Sequence, residues 1–470
     1  MTNTELKINY GGDLSPIAAF ATTPGSGALT LIRCSGKGSI NLISSIFPRH
    51  DLENTKPNTV VHGWIVQADE KIDEVLISVF RAPKSYTGED SLDISCHGGT
   101  SAGKAVMHTL KTAGFRDALP GEFTFRAFMN GKLDLTKSES VMELVSAKTD
   151  TSRRHAVMRL SGSLQKEIEE IKKILVQVLA GAEIFLDYSE DEIEADTDEI
   201  EGKLPNKEIA FQALSRLKKL SDSRRMERIF QEGITLVIAG PPNAGKSSLF
   251  NSLLKEDRSI VTEVPGTTRD WIEAFVSIEG IPVRLIDTAG LREADDCVEK
   301  IGVERSRKIL QEADVILYLF DGEAECKNDI PADFSVPCLY IRNKCDIYPE
   351  PKFFPVSDIK PINVSAKTGE GLSELCSAIA SVISRQIAFF DDPSAAAYCG
   401  ISLGTERQKK LVDAARVALE EALALTESDE PLDLIAPLLR DAVNLLGEIT
   451  GEVSTADILE EMFGKFCVGK

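Results

Sequence analysis

Glycine, lysine and serine at fixed spacing give the chain a candidate phosphate-binding loop. Gly240, Gly245, Lys246 and Ser247 fit the pattern G-x-x-x-x-G-K-[ST]. In such a loop, backbone N–H groups surround the β-phosphate, the lysine reaches the β- and γ-oxygens, and the hydroxyl can hold Mg²⁺. An apolar run over residues 234–239 predicts a strand before the loop, and residues 247–254 predict a helix after it. This context favours a nucleotide site over a plain glycine turn.

Further motifs of a nucleotide site follow in order. GTTRD occupies residues 266–270, VRLIDTAGLR 283–292, ILYLFDG 316–322, CLYIRNKCD 338–346 and INVSAK 362–367. Loops that follow parallel strands share the carboxyl edge of a doubly wound sheet, so we expect these motifs to converge. There Asp287 can bind Mg²⁺ through water, Gly290 can sense the γ-phosphate through its N–H, and Thr268 can complete the Mg²⁺ shell from a switch loop.

The last two motifs predict guanine as the base. The Asp346 carboxylate, next to Asn343 and Lys344, can accept from both the ring imino and the exocyclic amino group of guanine, and adenine has no such donor pair. Ser365, Ala366 and Lys367 would close over the base. The residues predicted to contact GTP are Asn243, Ala244, Gly245, Lys246, Ser247, Ser248, Thr262, Glu263, Val264, Pro265, Gly266, Thr267, Thr268, Asp287, Thr288, Ala289, Gly290, Asn343, Lys344, Asp346, Ser365, Ala366 and Lys367.

The residue that orients the attacking water is not evident from the pattern. Leu291 follows DTAG, where Ras-type enzymes place a glutamine, and an alkyl side chain cannot orient water. The segment after DTAGLR offers four carboxylates as substitutes: Glu293, Asp295, Asp296 and Glu299. The residues alone do not choose among them.

Composition restricts the class of protein. The chain has 470 residues, a formal net charge of −21 and nine scattered cysteines without a C-x-x-C pair. We therefore expect about three domains, no disulfide framework or zinc site, and no generally basic nucleic-acid surface. No apolar run is long enough to span a membrane and the first residues lack a signal-peptide pattern, which predicts a cytoplasmic protein without stable membrane insertion.

Periodicity divides the chain into regions. Short strands with two helices over residues 15–120 predict an α+β domain, and apolar residues at three-and-four spacing predict helices from 122 to about 220 and again after 385. Thr136 to Glu139 predicts a capping box. The last helices are too short a segment for a core of their own. The expected fold is therefore multidomain, with the α/β nucleotide domain inserted into one discontinuous helical domain.

Segments outside the nucleotide motifs resemble a known family. They are SYTGEDSLDISCHGG (85–99), PGEFTFRAFMNGKLDLTKSES (120–140), DTAGLREADDCVEKIGVERS (287–306) and the terminal FCVGK (466–470). With them, essentially the whole chain resembles the MnmE family, also called TrmE, of bacterial tRNA-modifying GTPases. The resemblance implies an N-terminal tetrahydrofolate-binding and dimerisation domain over 1–121, a helical domain over 122–225 and 386–470, and a Ras-like GTPase domain over 226–385.

The resemblance also implies a potassium-activated GTPase. On the matching positions, Asn243, Thr262, Val264 and Thr267 would hold K⁺, while Ser247 and Thr268 hold Mg²⁺. Glu299 matches the family's catalytic carboxylate, which orients or polarises the attacking water. A monovalent cation against the phosphates would supply the charge that an arginine finger gives elsewhere.

A one-carbon carrier is implied at the N-terminal domain. Arg33, Glu89, Lys132 and Lys470 match the family's folate-contacting positions, for a 5-formyl- or methylene-tetrahydrofolate, and Cys467 matches a tail cysteine needed for modification. One departure is Ser26, where the family usually has arginine, which removes a positive charge near the expected folate pocket.

The implied function is modification of tRNA. The homodimer would work with an FAD-dependent partner resembling MnmG (GidA), in a heterotetramer or larger assembly, and add an aminomethyl or carboxymethylaminomethyl group to carbon 5 of the wobble uridine. The alternative is an Era-like regulatory GTPase switch without tRNA chemistry. Cys467 and Lys470 distinguish the two, because generic GTPases of the Era type lack these flanking segments.

Overall fold

The chain is divided into two compact units. The structure is a computed structural model that describes residues 12–23, 25, 27–48, 51–187, 204–256, 272–287, 310, 313–321, 336–348, 361–386, 401–453, 456–466 and 468–469. The first unit comprises Met1–Met142, Leu160–Leu217 and Lys410–Lys470, and the second comprises Glu143–Arg159 and Lys218–Lys409. Each unit is thus built from segments that are distant in sequence.

A six-stranded sheet with two covering helices forms the amino-terminal part of the first unit. The strands are β1 (Ile17–Phe20), β2 (Leu29–Ser35), β3 (Thr59–Gln67), β4 (Glu70–Phe80), β5 (Ser91–His97) and β6 (Arg116–Asp117), in the order β3-β4-β5-β2-β1-β6. The helices are α1 (Ser39–Ile46) and α2 (Thr100–Ala113). All pairings are antiparallel except β1 with β6.

The alternation of apolar and polar residues along the strands decides which face of this sheet is buried. Leu92, Ile94 and Cys96 of β5 are buried, whereas Asp93 and Ser95 between them are only partly buried. Successive side chains point to opposite faces of a strand, so the apolar set packs on one side. The same core contains residues of both helices, Ile40, Ile43, Val106 and Leu110. The opposite face carries Arg33 and Asp93 in directly paired positions.

The remaining helices are distributed over the two units. The helices from residue 122 onward are α3 (Glu122–Met129), α4 (Leu135–Ser146), α5 (Asp150–Leu160), α6 (Ser163–Asp187), α7 (Lys207–Glu232), α8 (Lys246–Glu256), α9 (Leu372–Gln386), α10 (Glu406–Glu427), α11 (Leu432–Thr450) and α12 (Ala456–Phe463). Helix α6 packs along α11. Their buried residues recur at three-and-four spacing, Ile168, Ile171, Leu175, Val178 and Ala182 against Ile435, Leu439, Ala442, Leu446 and Ile449.

Aromatic side chains join the two ends of the first unit's helical part. The Phe463 ring meets Phe125 edge-on at 5.4 Å and lies 5.3 Å from the Phe466 ring. These three residues and Leu135 form one buried cluster. The described end of the chain is therefore fixed beside α3.

The predicted capping box at Thr136 to Glu139 is wrong. Helix α4 begins at Leu135, and the Asp134 carboxylate accepts from the Lys137 backbone N–H at 3.0 Å and from the Thr136 hydroxyl. Aspartate is as good a cap as threonine, and its position immediately before the helix lets it reach the third N–H. Thr136 is therefore inside the helix and not its cap.

A second six-stranded sheet forms the core of the second unit. Its strands are β7 (Ile234–Ala239), β8 (Ile272–Ile278), β9 (Ile281–Asp287), β10 (Val315–Asp321), β11 (Cys338–Asn343) and β12 (Ile362–Asn363), in the order β12-β11-β10-β7-β9-β8. All pairings are parallel except β8 with β9. Its strands are apolar on both faces, as in a sheet covered on both sides.

Parallel pairing places the ends of β7, β9, β10 and β11 at one edge of this sheet. Gly240 follows β7, Asp287 ends β9 and Asn343 ends β11. Ligands of open α/β sheets bind outside the carboxyl ends of the strands. Among the described residues, no helix is both long enough and apolar enough to cross a membrane.

Candidate nucleotide-binding site

Lys246 lies over the candidate phosphate loop. Strand β7 ends at Ala239 and helix α8 begins at Lys246, so the loop between them opens on a helix N-terminus. The Lys246 ammonium donates to the carbonyl oxygens of Gly240 at 3.1 Å and Pro241 at 2.9 Å. Free N–H groups and the helix dipole attract anions at such an end, and Lys246 adds a full positive charge. The arrangement can bind a phosphate chain.

Gly245 is required by close packing as well as by its backbone. Its φ is +93°, and a Cβ built on it would lie 2.2 Å from the Asn343 amide nitrogen. The Asn343 amide donates to the Ala244 carbonyl at 2.8 Å, and its oxygen accepts from the Ala366 N–H at 3.0 Å. Buried Asn343 therefore ties the phosphate loop to the segment around Ala366. The sequence analysis placed Asn343 among the residues that select the base. In the structure, the Asn343 side-chain amide instead makes hydrogen bonds that hold the two loops together.

A hydroxyl and a carboxylate meet beside the phosphate loop. The Ser247 hydroxyl donates to Asp287 Oδ2 at 2.8 Å, and Asp287 is fully buried at the end of β9. Oxygen ligands of this kind suit Mg²⁺, which usually keeps several waters and takes the rest of its shell from substrate phosphates. Accordingly, a magnesium site of this type needs few protein carboxylates. The described residues contain no group of three or more His, Cys, Asp or Glu placed to hold a metal.

A cavity of about 470 Å³ lies next to the loop. It is lined by Gly245, Ser248, Asn251, Ser252, Lys255, Asn343, Lys344, Asp346, Ile347, Ser365, Ala366 and Lys367. Asp346 is exposed, so its carboxylate is available to a ligand. Lys344 is fixed by an ion pair with Asp321 at 2.5 Å. The cavity thus brings together the predicted base-selecting residues and the predicted loop over the base.

Sequence reasoning missed four residues of the cavity. Ile347 follows the NKCD motif directly. Asn251, Ser252 and Lys255 lie with Ser248 on one face of α8, at three, four and seven residues' spacing. That polar stripe was the available signal, because helix positions with this spacing share a face. Ser252 also donates to the Ala366 carbonyl at 2.5 Å, which fixes the segment opposite the helix.

The candidate folate residues of the first unit surround the loop over residues 83–90. Arg33 pairs with Asp93 at 3.0 Å, and its guanidinium lies 5.6 Å from the centre of the Tyr86 ring. Glu89 accepts from the Ser35 hydroxyl at 2.9 Å. The Lys132 ammonium donates to the Pro83 carbonyl at 3.1 Å. Arg33 and Lys132, which are distant in sequence, therefore both contact the loop that contains Glu89.

Comparison with known proteins identifies the family. Residues 16–132 match the family model for the GTP-binding protein TrmE N-terminus, and residues 135–467 match the model for the MnmE helical domain. The chain belongs to the MnmE family. A relative from Treponema denticola named tRNA modification GTPase MnmE is 42% identical, over 97% of this chain and 98% of its own. A relative of the same name from Carboxydothermus hydrogenoformans is 40% identical, over 97% and 99%.

A solved structure matches a smaller share of the chain. The G domain of the T. maritima FeoB iron transporter is 23% identical and covers 32% of this chain and 98% of its own, with a TM-score of 0.23. At that score the likeness supports no further conclusion. The assignment to the MnmE family depends on the sequence relatives, which match this chain from its first domain to its last.

Several residues named in the sequence analysis, from the nucleotide motifs or from the MnmE resemblance, lie outside the described part of the chain. They are Glu299, Cys467, Thr262, Glu263, Val264, Pro265, Gly266, Thr267, Thr268, Thr288, Ala289, Gly290, Lys470 and Ser26. Val468 and Gly469, between Cys467 and Lys470, are described. A Cβ built on Gly469 would lie 2.3 Å from the Phe20 carbonyl oxygen, so the tail backbone lies directly against the end of β1.

Proposed function

We propose that this chain is a GTPase that acts in tRNA modification. One observation carries the proposal: the phosphate loop, the Ser247–Asp287 pair and the cavity with Asp346 converge at one edge of a single sheet. Nucleotides bind at this edge in α/β folds. Membership in the MnmE family adds the tRNA context, since relatives along the whole chain carry that name.

In the proposed reaction, the chain positions GTP and stabilises charge on its phosphates. Asp346 accepts from the imino and amino groups of guanine, and Lys246 neutralises the β- and γ-oxygens. Ser247 and Thr268 would hold Mg²⁺ directly and Asp287 through water, and the ion would supply positive charge at the phosphates when bound. Glu299 orients the attacking water. Ras-type enzymes use a glutamine for this role, at the position where this chain has Leu291.

A change of base tests the nucleotide assignment. Xanthine carries an oxygen where guanine carries its amino group, so the amide of Asp346→Asn can donate where the carboxylate could only accept. We expect this variant to lose GTP hydrolysis and to gain hydrolysis of xanthosine triphosphate. Glu374→Gln, an exposed acid of α9 outside the cavity lining, is the matched control and should keep the preference for GTP. Unchanged base preference in Asp346→Asn would refute the assignment.

We further propose that K⁺ activates hydrolysis. Asn243, with Thr262, Val264 and Thr267, would hold the ion, and its charge against the phosphates would replace an arginine finger. In support, Asn243 sits in the phosphate loop at φ +62°, a conformation that asparagine tolerates better than most residues. Turnover should fall strongly when Na⁺ replaces K⁺, and Asn243→Ala should abolish the difference. Equal rates in both salts with the unsubstituted chain would contradict the proposal.

The first unit is proposed to bind a 5-formyl- or methylene-tetrahydrofolate. Arg33, Glu89 and Lys132 would contact it together with Lys470, and the closeness of Gly469 to Phe20 supports a place for the tail near this domain. The folate would supply the one-carbon unit, and Cys467 would act in the modification step.

The assembly is proposed to be a cytoplasmic homodimer that works with an MnmG-like FAD protein on tRNA. Together they would add an aminomethyl or carboxymethylaminomethyl group to carbon 5 of the wobble uridine. Nucleoside analysis of tRNA from cells lacking the chain should reveal loss of that group, restored by the intact gene. An unchanged nucleoside profile, with retained GTPase activity and no binding of 5-formyltetrahydrofolate, would instead support the Era-like switch.

A further inference from the structure

Glu89 is held from its protein side by two donors. The Ser35 hydroxyl donates to Oε2 at 2.9 Å. Arg126 Nη1 donates to Oε2 at 3.1 Å and to Oε1 at 3.4 Å. The Glu89 side chain is 21% exposed, whereas that of Arg126 is 4% exposed. An ionised carboxylate has about four acceptor positions, so acceptor capacity remains on the open side of Glu89.

Arg126 is itself fixed in orientation. Its Nε and Nη2 donate to Glu122 Oε1 at 3.2 and 2.9 Å, and Nη2 also donates to the Ser15 carbonyl at 2.9 Å. Glu122 is buried and also accepts from Arg116 at 2.6 and 2.8 Å. Burial by itself raises the pKa of Glu122, but the hydrogen bonds from Arg116, Leu119 and Arg126 and the Arg126 charge outweigh it and lower the pKa. The bonds on Nε and Nη2 leave Nη1 directed at Glu89.

Ser35 is constrained in the same way. It is fully buried, and its hydroxyl lies 2.7 Å from the Thr87 hydroxyl. Since the Ser35 proton goes to Glu89, Ser35 accepts from Thr87. A hydroxyl with both roles taken cannot rotate freely, so the carboxylate has a second fixed donor.

We propose that Arg126 and Ser35 are positioning residues that set the Glu89 carboxylate to accept two adjacent N–H donors of a 2-amino-4-oxo ring such as a pterin. The inference rests on the proposed folate binding and explains how that ligand's ring is selected. Its ring N–H and 2-amino group form a planar pair that matches the two oxygens of a fixed carboxylate. Groups locked by supporting hydrogen bonds bind with less loss of conformational freedom than mobile ones.

The test compares two ligands that differ only in the 2-amino group. The affinities of 5-formyltetrahydrofolate and its 2-desamino analogue are measured by calorimetry on the full chain and on Ser35→Ala and Arg126→Met. Ser91→Ala is the matched control, because Ser91 is paired with Ser35 in the sheet, is equally a buried hydroxyl, and donates to the Cys34 carbonyl rather than to Glu89. Thermal melting first establishes that each variant is folded.

We expect Ser35→Ala to weaken binding of the parent folate about tenfold and Arg126→Met about a hundredfold, since hydrogen bonds to a charged group are lost. Binding of the 2-desamino analogue should change much less, and Ser91→Ala should bind both ligands as the unsubstituted chain does. A purely structural role would weaken both ligands alike and would overturn the inference. So would unchanged affinity in Ser35→Ala, the variant least able to disturb the fold.

Failure of the inference differs from failure of the proposed function. If the unsubstituted chain binds no folate, both fall. The unsubstituted chain could instead bind folate and distinguish the two ligands. If Ser35→Ala and a folded Arg126→Met then distinguish them equally well, only the positioning role of Ser35 and Arg126 is refuted.

Discussion

Arg159 and Glu227 form an ion pair from which water is almost completely excluded. Arg159 Nη2 lies 2.7 Å from Glu227 Oε1, and each side chain is 1% exposed. Arg159 belongs to α5, and Glu227 belongs to α7 shortly before strand β7 and the phosphate loop. Arg159 also donates to Glu143 Oε2 at 2.8 Å and to the Ser402 hydroxyl at 2.9 Å. Within the second unit, the pair therefore joins the chain segments that precede and follow the nucleotide region.

Removing the cation from this pair should be strongly destabilising. Arg159→Met leaves the carboxylates of Glu227 and Glu143 buried without their main countercharge, and breaking a buried pair on one side costs about 3–5 kcal/mol. Urea unfolding followed by circular dichroism should reveal a lower midpoint. Arg153→Met is the matched control on the same helix, because its ion pair with Asp150 is exposed and should matter little. Equal midpoints for the two variants would show that the buried pair is dispensable.

The same pair should make stability depend on acid pH. Burial raises the pKa of Glu227, but the hydrogen bond from His155 and the charge of Arg159 outweigh it and lower the pKa from 4.5 to about 2. A carboxyl with a lowered folded-state pKa stabilises the fold above its unfolded pKa and loses that contribution as pH falls through the folded one. We expect the free energy of unfolding to fall by about 3 kcal/mol as the pH is lowered from about 4.5 to about 2.

Melting temperatures across that pH range check this expectation. Glu227→Gln cannot ionise, so it should be less stable at neutral pH and its melting temperature should fall less steeply on acidification. If the two chains show parallel pH profiles, Glu227 does not contribute the acid dependence.

Local patterns predicted most of the elements because their causes are local. The strand predicted over 234–239 is found there, and the short strands predicted within residues 15–120, which have β-branched or alternating residues, are found within that region. Strand β6 (Arg116–Asp117) has no such pattern. It exists because it pairs in parallel with Ile17 and Ala18, a contact that the sequence of two residues does not encode. The cap of α4 was misassigned because Asp134 and Thr136 are both good capping residues.

Motif spacing predicted the residues that meet at the candidate nucleotide site, but it did not predict the buried polar residues elsewhere in the second unit. Lys246, Ser247 and Asp287 occur in short motifs, so their types and order suffice to find them. In the sequence, Arg159 looks like any of the charged residues that lie between the apolar positions of a helix. Its burial depends on Glu227 and Ser402, which only the folded chain brings together. Long-range polar networks have no period along the sequence, and the structure is needed to find them.

Gly245→Ala should abolish nucleotide binding. The added Cβ would lie 2.2 Å from the Asn343 amide nitrogen, so the phosphate loop or Asn343 must move and the bonds to Ala244 and Ala366 are strained or lost. Titration with a fluorescent GTP analogue should show affinity reduced by about a hundredfold or more. Gly280→Ala is the matched control: its φ is +83°, and its Cβ would meet no atom within 4 Å. Binding by Gly245→Ala at the control's affinity would contradict this reading of the loop.

Gly469→Ala should separate GTP hydrolysis from tRNA modification. Its φ is +99°, and a Cβ there would lie 2.3 Å from the Phe20 carbonyl oxygen, so the tail that carries Cys467 and Lys470 must leave the end of β1. We expect weaker binding of 5-formyltetrahydrofolate and less modified wobble uridine in cells, with GTP turnover unchanged, because the collision is confined to the first unit. Gly131→Ala controls for backbone strain, since its φ is +66° and the space around it is open. Normal modification by Gly469→Ala would mean that the placement of the tail against β1 has no part in the reaction.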